Sequence, residues 1–179
     1  MHYSHLISHI YVQSLNSSSS LGRLHAGNIT IPCLLGKNGL SYSKKEGDGT
    51  TPRGQYKIGQ FYIRPENRLR MRSLHQLKVI YQDLKWCDNP SHPLYNRPTS
   101  QNITGSYERL WRNDKRYDVI GIIDYNFTYR VNGRGSAIFF HLAENGSKYT
   151  EGCVAITAND MRRLLPRLSS KLIIHIGQR

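Results

Sequence analysis

Residues 136–156 read SAIFFHLAENGSKYTEGCVAI, and this stretch decides how the chain is interpreted. The apolar runs at 136–142 and 153–156 have the length and the aromatic and β-branched content of strands. His141 lies at the end of the first run and Cys153 at the start of the second, with eleven residues between them. Two adjacent strands joined by such a loop place an imidazole and a thiol within hydrogen-bonding reach.

This pairing has a chemical meaning. A cysteine attacks as its thiolate, and a free thiol with a pKa of about 8.5 is mostly protonated at neutral pH. A neighbouring imidazole can remove that proton and return it later to a leaving amine. Gly152 lets the backbone approach a substrate, so the amides of Gly152 and Cys153 are candidate donors to an oxyanion. The pattern predicts an acyl-transfer enzyme with Cys153 as nucleophile and His141 as base.

An alternative interpretation applies to each residue taken alone. A cysteine in an apolar run is commonly a small buried hydrophobe, and a histidine after two phenylalanines is commonly a satisfied core residue. The two residues together, with a glycine directly before the cysteine, favour catalysis. Cys33 and Cys87 have no comparable partner, and Cys33 beside Pro32 is expected in the core.

The rest of the chain predicts a mainly β fold with a few short helices. Strand patterns occur at 6–12, 29–35, 55–63, 117–124 and 172–176. Thr157 and Asp160 fit a capping box, and Met161, Leu164 and Leu165 follow at helical spacing. No linker is evident. We therefore expect a single domain at 27–179, with 1–26 as an N-terminal segment packed on it or leading into it.

The middle of the chain, 64–118, is the least regular part. Leu69, Leu74 and Leu77 are spaced as on a helix, whereas 77–81 fits a strand equally well. Residues 86–97 (WCDNPSHPLYNR) are aromatic, polar and broken by proline, which is typical of a functional loop. Aromatic, polar and charged groups here are candidate substrate-binding residues: Trp86, Asp88, His92, Asn96, Arg97, Tyr107, Glu108 and Trp111.

Composition limits the other possibilities. No stretch approaches the roughly 20 apolar residues of a membrane-spanning helix. The net charge of +13 fits an ordinary solvated basic surface, and it also suits an anionic partner such as a nucleic acid, an envelope polymer or a membrane surface. Three cysteines leave at least one thiol free within the chain, and their spacing does not suit a metal site, so no metal is expected. No signal peptide is evident at the N-terminus.

Two motifs resemble a known family. Residues 150–156, following His141, resemble the signature of the YkuD-type L,D-transpeptidases, in which a histidine precedes a (Ser/Thr)-His-Gly-Cys motif. Residues 46–54 (EGDGTTPRG) are similar to the Thr-Pro-x-Gly segment of the same domain. The resemblance extends from about residue 27 to the C-terminus, and both motifs occur in the expected order.

The resemblance implies a mostly β domain with its site in a groove. Cys153 would attack an amide of a peptidoglycan stem peptide and pass the acyl group to an amine of a neighbouring stem. His141 would be the base, oriented by a backbone carbonyl such as that of Leu142. A carbapenem-type β-lactam would acylate Cys153, and no metal or organic cofactor would be needed. The resemblance also implies a location in the cell envelope or periplasm.

The motif departs from the family at two positions. Glu151 stands where the family usually has a second histidine, and Ala155 stands where an arginine or asparagine is common. Thr150 and Glu151 remain candidate substrate-binding residues, but the family's usual donor contacts do not carry over. Two alternatives stay open. The same dyad could hydrolyse stem peptides as an L,D-carboxypeptidase or endopeptidase, and a basic β domain could instead bind nucleic acid.

Overall fold

The protein is described by a computed structural model, which covers residues 6–16, 19–67 and 72–177. Its helical elements in these ranges are one α-helix, α1 (Ala158–Leu164), and two 3-10 turns at Pro65–Asn67 and Leu165–Arg167. The mainly β prediction with a few short helices is confirmed. The strands are β1 (Ile7–Ser14), β2 (Leu21–Ala26), β3 (Ile29–Leu34), β4 (Leu40–Ser41), β5 (Thr51–Pro52), β6 (Gly54–Ile63), β7 (Leu77–Val79), β8 (Lys85–Cys87), β9 (Arg97–Thr99), β10 (Tyr107–Arg109), β11 (Val119–Ile123), β12 (Phe139–Leu142), β13 (Val154–Ile156) and β14 (Leu168–Ile176).

Eight strands pair in a closed ring, in the order β11-β12-β13-β3-β2-β1-β14-β6 and back to β11. β6 closes this ring because its first half, at Gly54 to Lys57, pairs with β14, while Ile58 to Ile63 pair with β11. β7 adds to the second half of β6 in parallel. Closure satisfies the backbone groups that an open sheet leaves at its edges.

The barrel interior is filled by alternate residues of these strands. Leu24 and Ala26 of β2 and Ile31 and Cys33 of β3 are buried, and their neighbours along each strand face outward. This period of two is the pattern expected of a half-buried strand. The expectation that Cys33 is a core residue is confirmed, since only 3% of it is exposed.

The helix α1 packs Met161 and Leu164 into the same core. It begins as the capping pattern predicts, because the Thr157 hydroxyl oxygen accepts a hydrogen bond from the Asp160 amide at 3.1 Å. The same hydroxyl donates to the Asp160 carboxylate at 2.6 Å. The residue after the turn that ends the helix, Leu168, is buried and starts β14.

A second layer covers one side of the barrel. This layer is the three-stranded antiparallel sheet of β8, β9 and β10, whereas β4 and β5 form a separate short parallel pair. A second apolar cluster lies between this layer and the barrel, and it includes Trp86, Tyr117, Phe139 and Cys153. Cys153 therefore belongs to the boundary between the two layers and not to the barrel interior.

Three details differ from the sequence-based expectations. β2 is a strand that the sequence patterns did not indicate, and the expected boundary between residues 26 and 27 falls in the turn that joins β2 to β3. Leu77 lies in β7, so the strand interpretation is right there and the helical one is wrong. Leu69 lies outside the described residues. The strand expected at 136–142 begins at Phe139, because Ala137 has a φ of 53° and interrupts the extended backbone.

No helix within the described ranges has the length and hydropathy required to cross a membrane.

Candidate active site

Strands β12 and β13 bring His141 and Cys153 to one side of the barrel. They pair in parallel, with Phe140 opposite Val154 and His141 opposite Ala155. Phe140 and Val154 point into the barrel core, and the alternation along each strand turns His141 and Cys153 to the other face. Both side chains line the same cavity, which has a volume of about 150 Å³. The predicted pairing of the two residues at neighbouring strand ends agrees with this geometry.

The imidazole of His141 is fixed in one tautomer. Its Nδ1 lies 2.8 Å from the backbone oxygen of Leu142, the carbonyl named in the sequence analysis. A carbonyl only accepts, so Nδ1 donates and Nε2 is left as an acceptor when the ring is neutral. The edge of the Tyr117 ring packs against the imidazole, with centroids 5.2 Å apart and planes at 89°. Position, tautomer and ring orientation therefore suit a proton acceptor.

Burial keeps His141 neutral. Only 5% of the residue is exposed, and this burial lowers the pKa of His141 to about 4, against the opposing effect of its hydrogen bond to Leu142. The nearby Arg116 guanidinium also lowers the pKa of His141. At neutral pH the ring is uncharged and able to take a proton.

The thiol of Cys153 is also neutral in the empty site. Burial raises the pKa of Cys153 to about 12, although the Phe139 amide, which donates to Sγ at 3.3 Å, opposes this effect. The thiol itself donates to the carbonyl oxygen of Ala137 at 3.2 Å. Sγ is therefore held between an N–H group and a carbonyl group of the segment that leads into β12.

The loop before Cys153 is organised by Thr150. Its Oγ1 donates to the Cys153 carbonyl at 2.7 Å and accepts from the Gly152 amide at 3.1 Å. The Gly152 amide would have to leave Thr150 in order to contact an oxyanion. Gly152 has a φ of 140°, and a Cβ atom at this position would lie 2.8 Å from the carbonyl oxygen of Thr50. Only glycine fits here, because both the backbone conformation and the neighbouring chain exclude a side chain.

Three acidic residues and one threonine from the sequence-based predictions also line the cavity. Asp88, Glu108, Thr150 and Glu151 all contribute to the wall. Burial raises the pKa of Glu108, and the nearby Asp88 raises it further. One carboxylate oxygen of Asp88 is inaccessible and has no hydrogen-bond partner. Glu151 is exposed and forms an ion pair with Lys37 at 2.8 Å.

Trp86 and Asn96 lie outside the cavity wall, and both are 1% exposed. Trp86 packs edge to face against Phe139, with ring centroids 4.9 Å apart. Asn96 Oδ1 accepts from Trp86 Nε1 at 2.8 Å and from the Ala137 amide at 3.1 Å. The two residues support the segment that carries the carbonyl partner of Cys153.

The remaining candidates from the middle segment also lie away from the cavity wall. The Arg97 guanidinium lies 4.5 Å from the centre of the Phe127 ring, and that of Arg64 lies 3.5 Å from the Trp111 ring. His92 accepts from the amide of Leu94 at 3.0 Å. Tyr107 lies in β10. Lys85 and Arg109 contact its ring.

The cavity wall also includes residues that were not among the sequence candidates, and Lys44, Arg116 and Tyr117 are three of them. Arg116 binds the Glu144 carboxylate at 2.6 Å and Asp114 at 3.2 Å. A local signal existed for Lys44, which lies two residues before the glycine-rich motif at 46–54. No local pattern marks Arg116 or Tyr117, because strand pairing over a long sequence separation places them beside His141.

The described residues contain no group of three or more histidine, cysteine, aspartate or glutamate side chains arranged to hold a metal ion. All three cysteines are free thiols.

One comparison with known proteins identifies the family. The model of the L,D-transpeptidase catalytic domain, YkuD, matches residues 20–176. No curated protein and no solved structure matches the chain at a significant level. The matched segment covers most of the chain and contains both the dyad and the glycine-rich motif. The chain therefore belongs to the YkuD family of L,D-transpeptidase catalytic domains, which makes it an enzyme of the L,D-transpeptidase type.

Proposed function

We propose that the protein is a peptidoglycan L,D-transpeptidase in which Cys153 forms an acyl-enzyme with a stem peptide and passes it to an amine. The observation that carries the proposal is the shared cavity of His141 and Cys153, with Nδ1 of His141 bound to the Leu142 carbonyl. Peptidoglycan peptides are the substrates on which this family acts. Thr150, Glu151, Asp88 and Glu108 line the same cavity, which supports a role for them in contacting the substrate.

The first step moves the thiol proton to His141. In the empty site this proton lies on the hydrogen bond to the Ala137 carbonyl. For the transfer, the Cys153 side chain would turn so that its S–H group points at Nε2, the nitrogen that the Leu142 carbonyl leaves as acceptor. Burial opposes both charges of a thiolate–imidazolium pair, since it raises the pKa of Cys153 to about 12 and lowers that of His141 to about 4. Proton transfer is therefore coupled to attack on the bound substrate, and no thiolate accumulates beforehand.

Acylation then takes place in two stages, attack by the thiol and departure of the amine. Sγ of Cys153 bonds to the carbonyl carbon of the stem-peptide amide, and the carbonyl oxygen takes the negative charge. The Cys153 amide is a candidate donor to this oxygen. The tetrahedral intermediate breaks its C–N bond, and His141 returns the proton to the leaving amine. The product is a thioester on Cys153 and a free amine.

The second half of the reaction runs the same steps in reverse with a new nucleophile. An acceptor amine gives a proton to His141 and attacks the thioester carbon, and Cys153 leaves and regains the proton. Water in place of the amine would give a shortened stem and no cross-link. The two outcomes differ in the acceptor alone, so the product decides between transpeptidase and L,D-carboxypeptidase.

The first experiment identifies the nucleophile. The protein is incubated with a carbapenem and its intact mass is measured. We expect a single covalent adduct on the wild type and on Cys87→Ala, which removes a different buried thiol. We expect no adduct on Cys153→Ala and a much slower one on His141→Asn. An unmodified wild-type mass after prolonged incubation, or an adduct on Cys153→Ala, would contradict the proposal.

The second experiment identifies the reaction. Purified peptidoglycan fragments with tetrapeptide stems are incubated with the wild type or Cys153→Ala, with and without an added acceptor amine. We expect new cross-linked dimers or amine-exchanged stems. Products that consist of trimmed stems alone, in both arms, would identify an L,D-carboxypeptidase. Intact stems throughout would contradict both reactions.

We further propose that the protein acts in the cell envelope, in the periplasm, where its substrate lies. Its net charge of +13 is complementary to an anionic wall polymer. Fractionation of cells that express the full-length protein tests this location. Recovery in the cytosolic fraction alone would contradict it.

A further inference from the structure

Lys44 is a buried cation next to the nucleophile. Only 3% of its side chain is exposed, and it lines the cavity that also contains Cys153. Lysine is among the residues least often buried, because removing its ammonium group from water is unfavourable unless a partner compensates. The partner here is Asp48, whose Oδ1 lies 2.8 Å from Nζ.

Asp48 is held by the turn in which it lies. Its carboxylate accepts from the Lys45 amide at 2.6 Å and from both the amide and the hydroxyl of Thr50 at 2.9 Å. These bonds and the ammonium of Lys44 hold the pKa of Asp48 below its usual value, although burial acts in the opposite direction. The turn at Lys45 to Thr50 thus holds the carboxylate of Asp48 in place beside the ammonium group of Lys44.

Two glycines leave the space that the Lys44 side chain occupies. A Cβ atom at Gly152 would lie 3.2 Å from Nζ, and one at Gly135 would lie 3.0 Å from Cε. The ammonium therefore packs against the backbone of the residue that precedes Cys153. A longer residue at either glycine would displace it.

A cation near Cys153 would favour the loss of its thiol proton. The Gly152 amide is bound to Thr150, and the charged groups that act on the thiol are Glu108, Lys44 and Arg116. Glu108 raises the pKa of Cys153, and the two cations lower it. Arg116 lies on the side of His141, where it is paired with Glu144 and Asp114. Lys44 supplies the cation on the side of Gly152.

We propose that Lys44, held by Asp48, is an electrostatic positioning residue that stabilises the negative charge forming at Cys153 when its proton leaves. The inference rests on the proposed role of Cys153 as nucleophile. It extends that role because Asp48, in the glycine-rich motif, would hold the ammonium group of Lys44 beside the residues that precede Cys153.

The test follows thiol reactivity, which needs no peptidoglycan. The rate of carboxamidomethylation of Cys153 by iodoacetamide is measured as a function of pH, with peptide mapping to confirm the modified residue. The variants are Lys44→Met, Lys44→Gln and Lys44→Arg. The matched control is Lys45→Met, which removes the same charge from the exposed neighbouring side chain. Thermal unfolding is recorded for each, and Lys44→Gln, which can still donate to Asp48, serves if Lys44→Met does not fold.

We expect both neutral variants to react about tenfold more slowly than wild type near neutral pH, as for a rise of one unit in the thiol pKa, with a profile shifted to higher pH. Lys44→Arg and Lys45→Met are expected to stay within about threefold of wild type. The inference would be overturned if Lys44→Gln had the same dependence of reaction rate on pH as wild type. It would also be overturned if the rate fell as much in Lys44→Arg as in Lys44→Met. A shifted profile in a protein that forms no acyl-enzyme would instead refute the proposed reaction and leave the role of Lys44 standing.

Discussion

Asn96 and Cys153 are linked through a single residue. Asn96 Oδ1 accepts from the Ala137 amide at 3.1 Å, and the Ala137 carbonyl accepts from the Cys153 thiol at 3.2 Å. Ala137 has a φ of 53°, a conformation that non-glycine residues rarely adopt. Asn96 therefore supports a strained turn beside Cys153, and this turn directs one carbonyl and one amide at Sγ.

Replacing Asn96 tests this support. Asn96→Ala leaves the buried Trp86 Nε1 and the Ala137 amide without their acceptor. Each unsatisfied buried group costs about 1–3 kcal/mol, so we predict a loss of at least about 2 kcal/mol in the free energy of unfolding. Urea unfolding measures it, with the exposed Asn145→Ala as control. A loss below about 1 kcal/mol would show that water replaces the amide.

Thr150 organises the loop before Cys153 through its hydroxyl group. Thr150→Val keeps the shape of the side chain but removes the bonds to the Gly152 amide and the Cys153 carbonyl. Because misplacing a reacting group by about 1 Å can cost about 100-fold, we predict at least a tenfold slower acylation by a carbapenem. Thr150→Ser keeps both bonds and is expected to stay close to wild type. Equal rates in Val and Ser variants would mean that the loop is rigid without the hydroxyl.

Tyr117 orients His141 through its ring. The ring contacts the imidazole and also Phe139, with centroids 5.7 Å apart in the second case. We predict that Tyr117→Phe acylates at nearly the wild-type rate, whereas Tyr117→Leu is slower by about tenfold because the imidazole loses its packing. Stopped-flow measurement of acylation compares the two. A large loss in Tyr117→Phe would instead assign the role to the hydroxyl group.

The buried His141 makes stability depend on pH. Its pKa is about 4 in the folded protein and 6.5 when exposed. Between these values the unfolded chain binds a proton that the folded chain does not, so stability falls as pH decreases through this window. The full effect is about 3 kcal/mol.

The measurement compares wild type with His141→Asn by urea unfolding at about pH 7.5 and about pH 4.5. The decrease in the free energy of unfolding between the two pH values should be smaller in His141→Asn by about 2–3 kcal/mol. His75, whose pKa burial also lowers, is present in both proteins and cancels in the comparison. Identical losses in the two proteins would mean that His141 is protonated in the folded state.

Glu151 contributes little to stability. Its ion pair with Lys37 is 2.8 Å long, but the two side chains are 43% and 67% exposed. Exposed pairs of this kind contribute little to stability, because water and salt screen the two charges. We predict that Glu151→Gln unfolds at nearly the same urea concentration as wild type. A change in its activity toward stem peptides would then report on substrate binding and not on folding.

Short-range patterns in the sequence predicted a large part of the fold. The alternation in 55–63 and the capping pair Thr157 and Asp160 describe β6 and α1 closely. β2 was not predicted, because Gly22 and His25 weaken its strand pattern and its stability comes from pairing with β1 and β3. The last residues of β12 were predicted correctly, but its start was not, since the φ of Ala137 depends on the hydrogen bond to Asn96.

The sequence by itself predicted the candidate pair His141 and Cys153, the glycine at 152 and the mainly β character, because each depends on residues close together along the chain. Only the tertiary structure decided which side chains surround the thiol. Trp86 and Asn96 are residue types that commonly bind substrates, yet both are buried behind the segment that carries Ala137. Lys44 lies against Gly152 because barrel closure brings together turns that are about a hundred residues apart. Contacts of this range arise from strand pairing around the whole ring, and no local spacing encodes them.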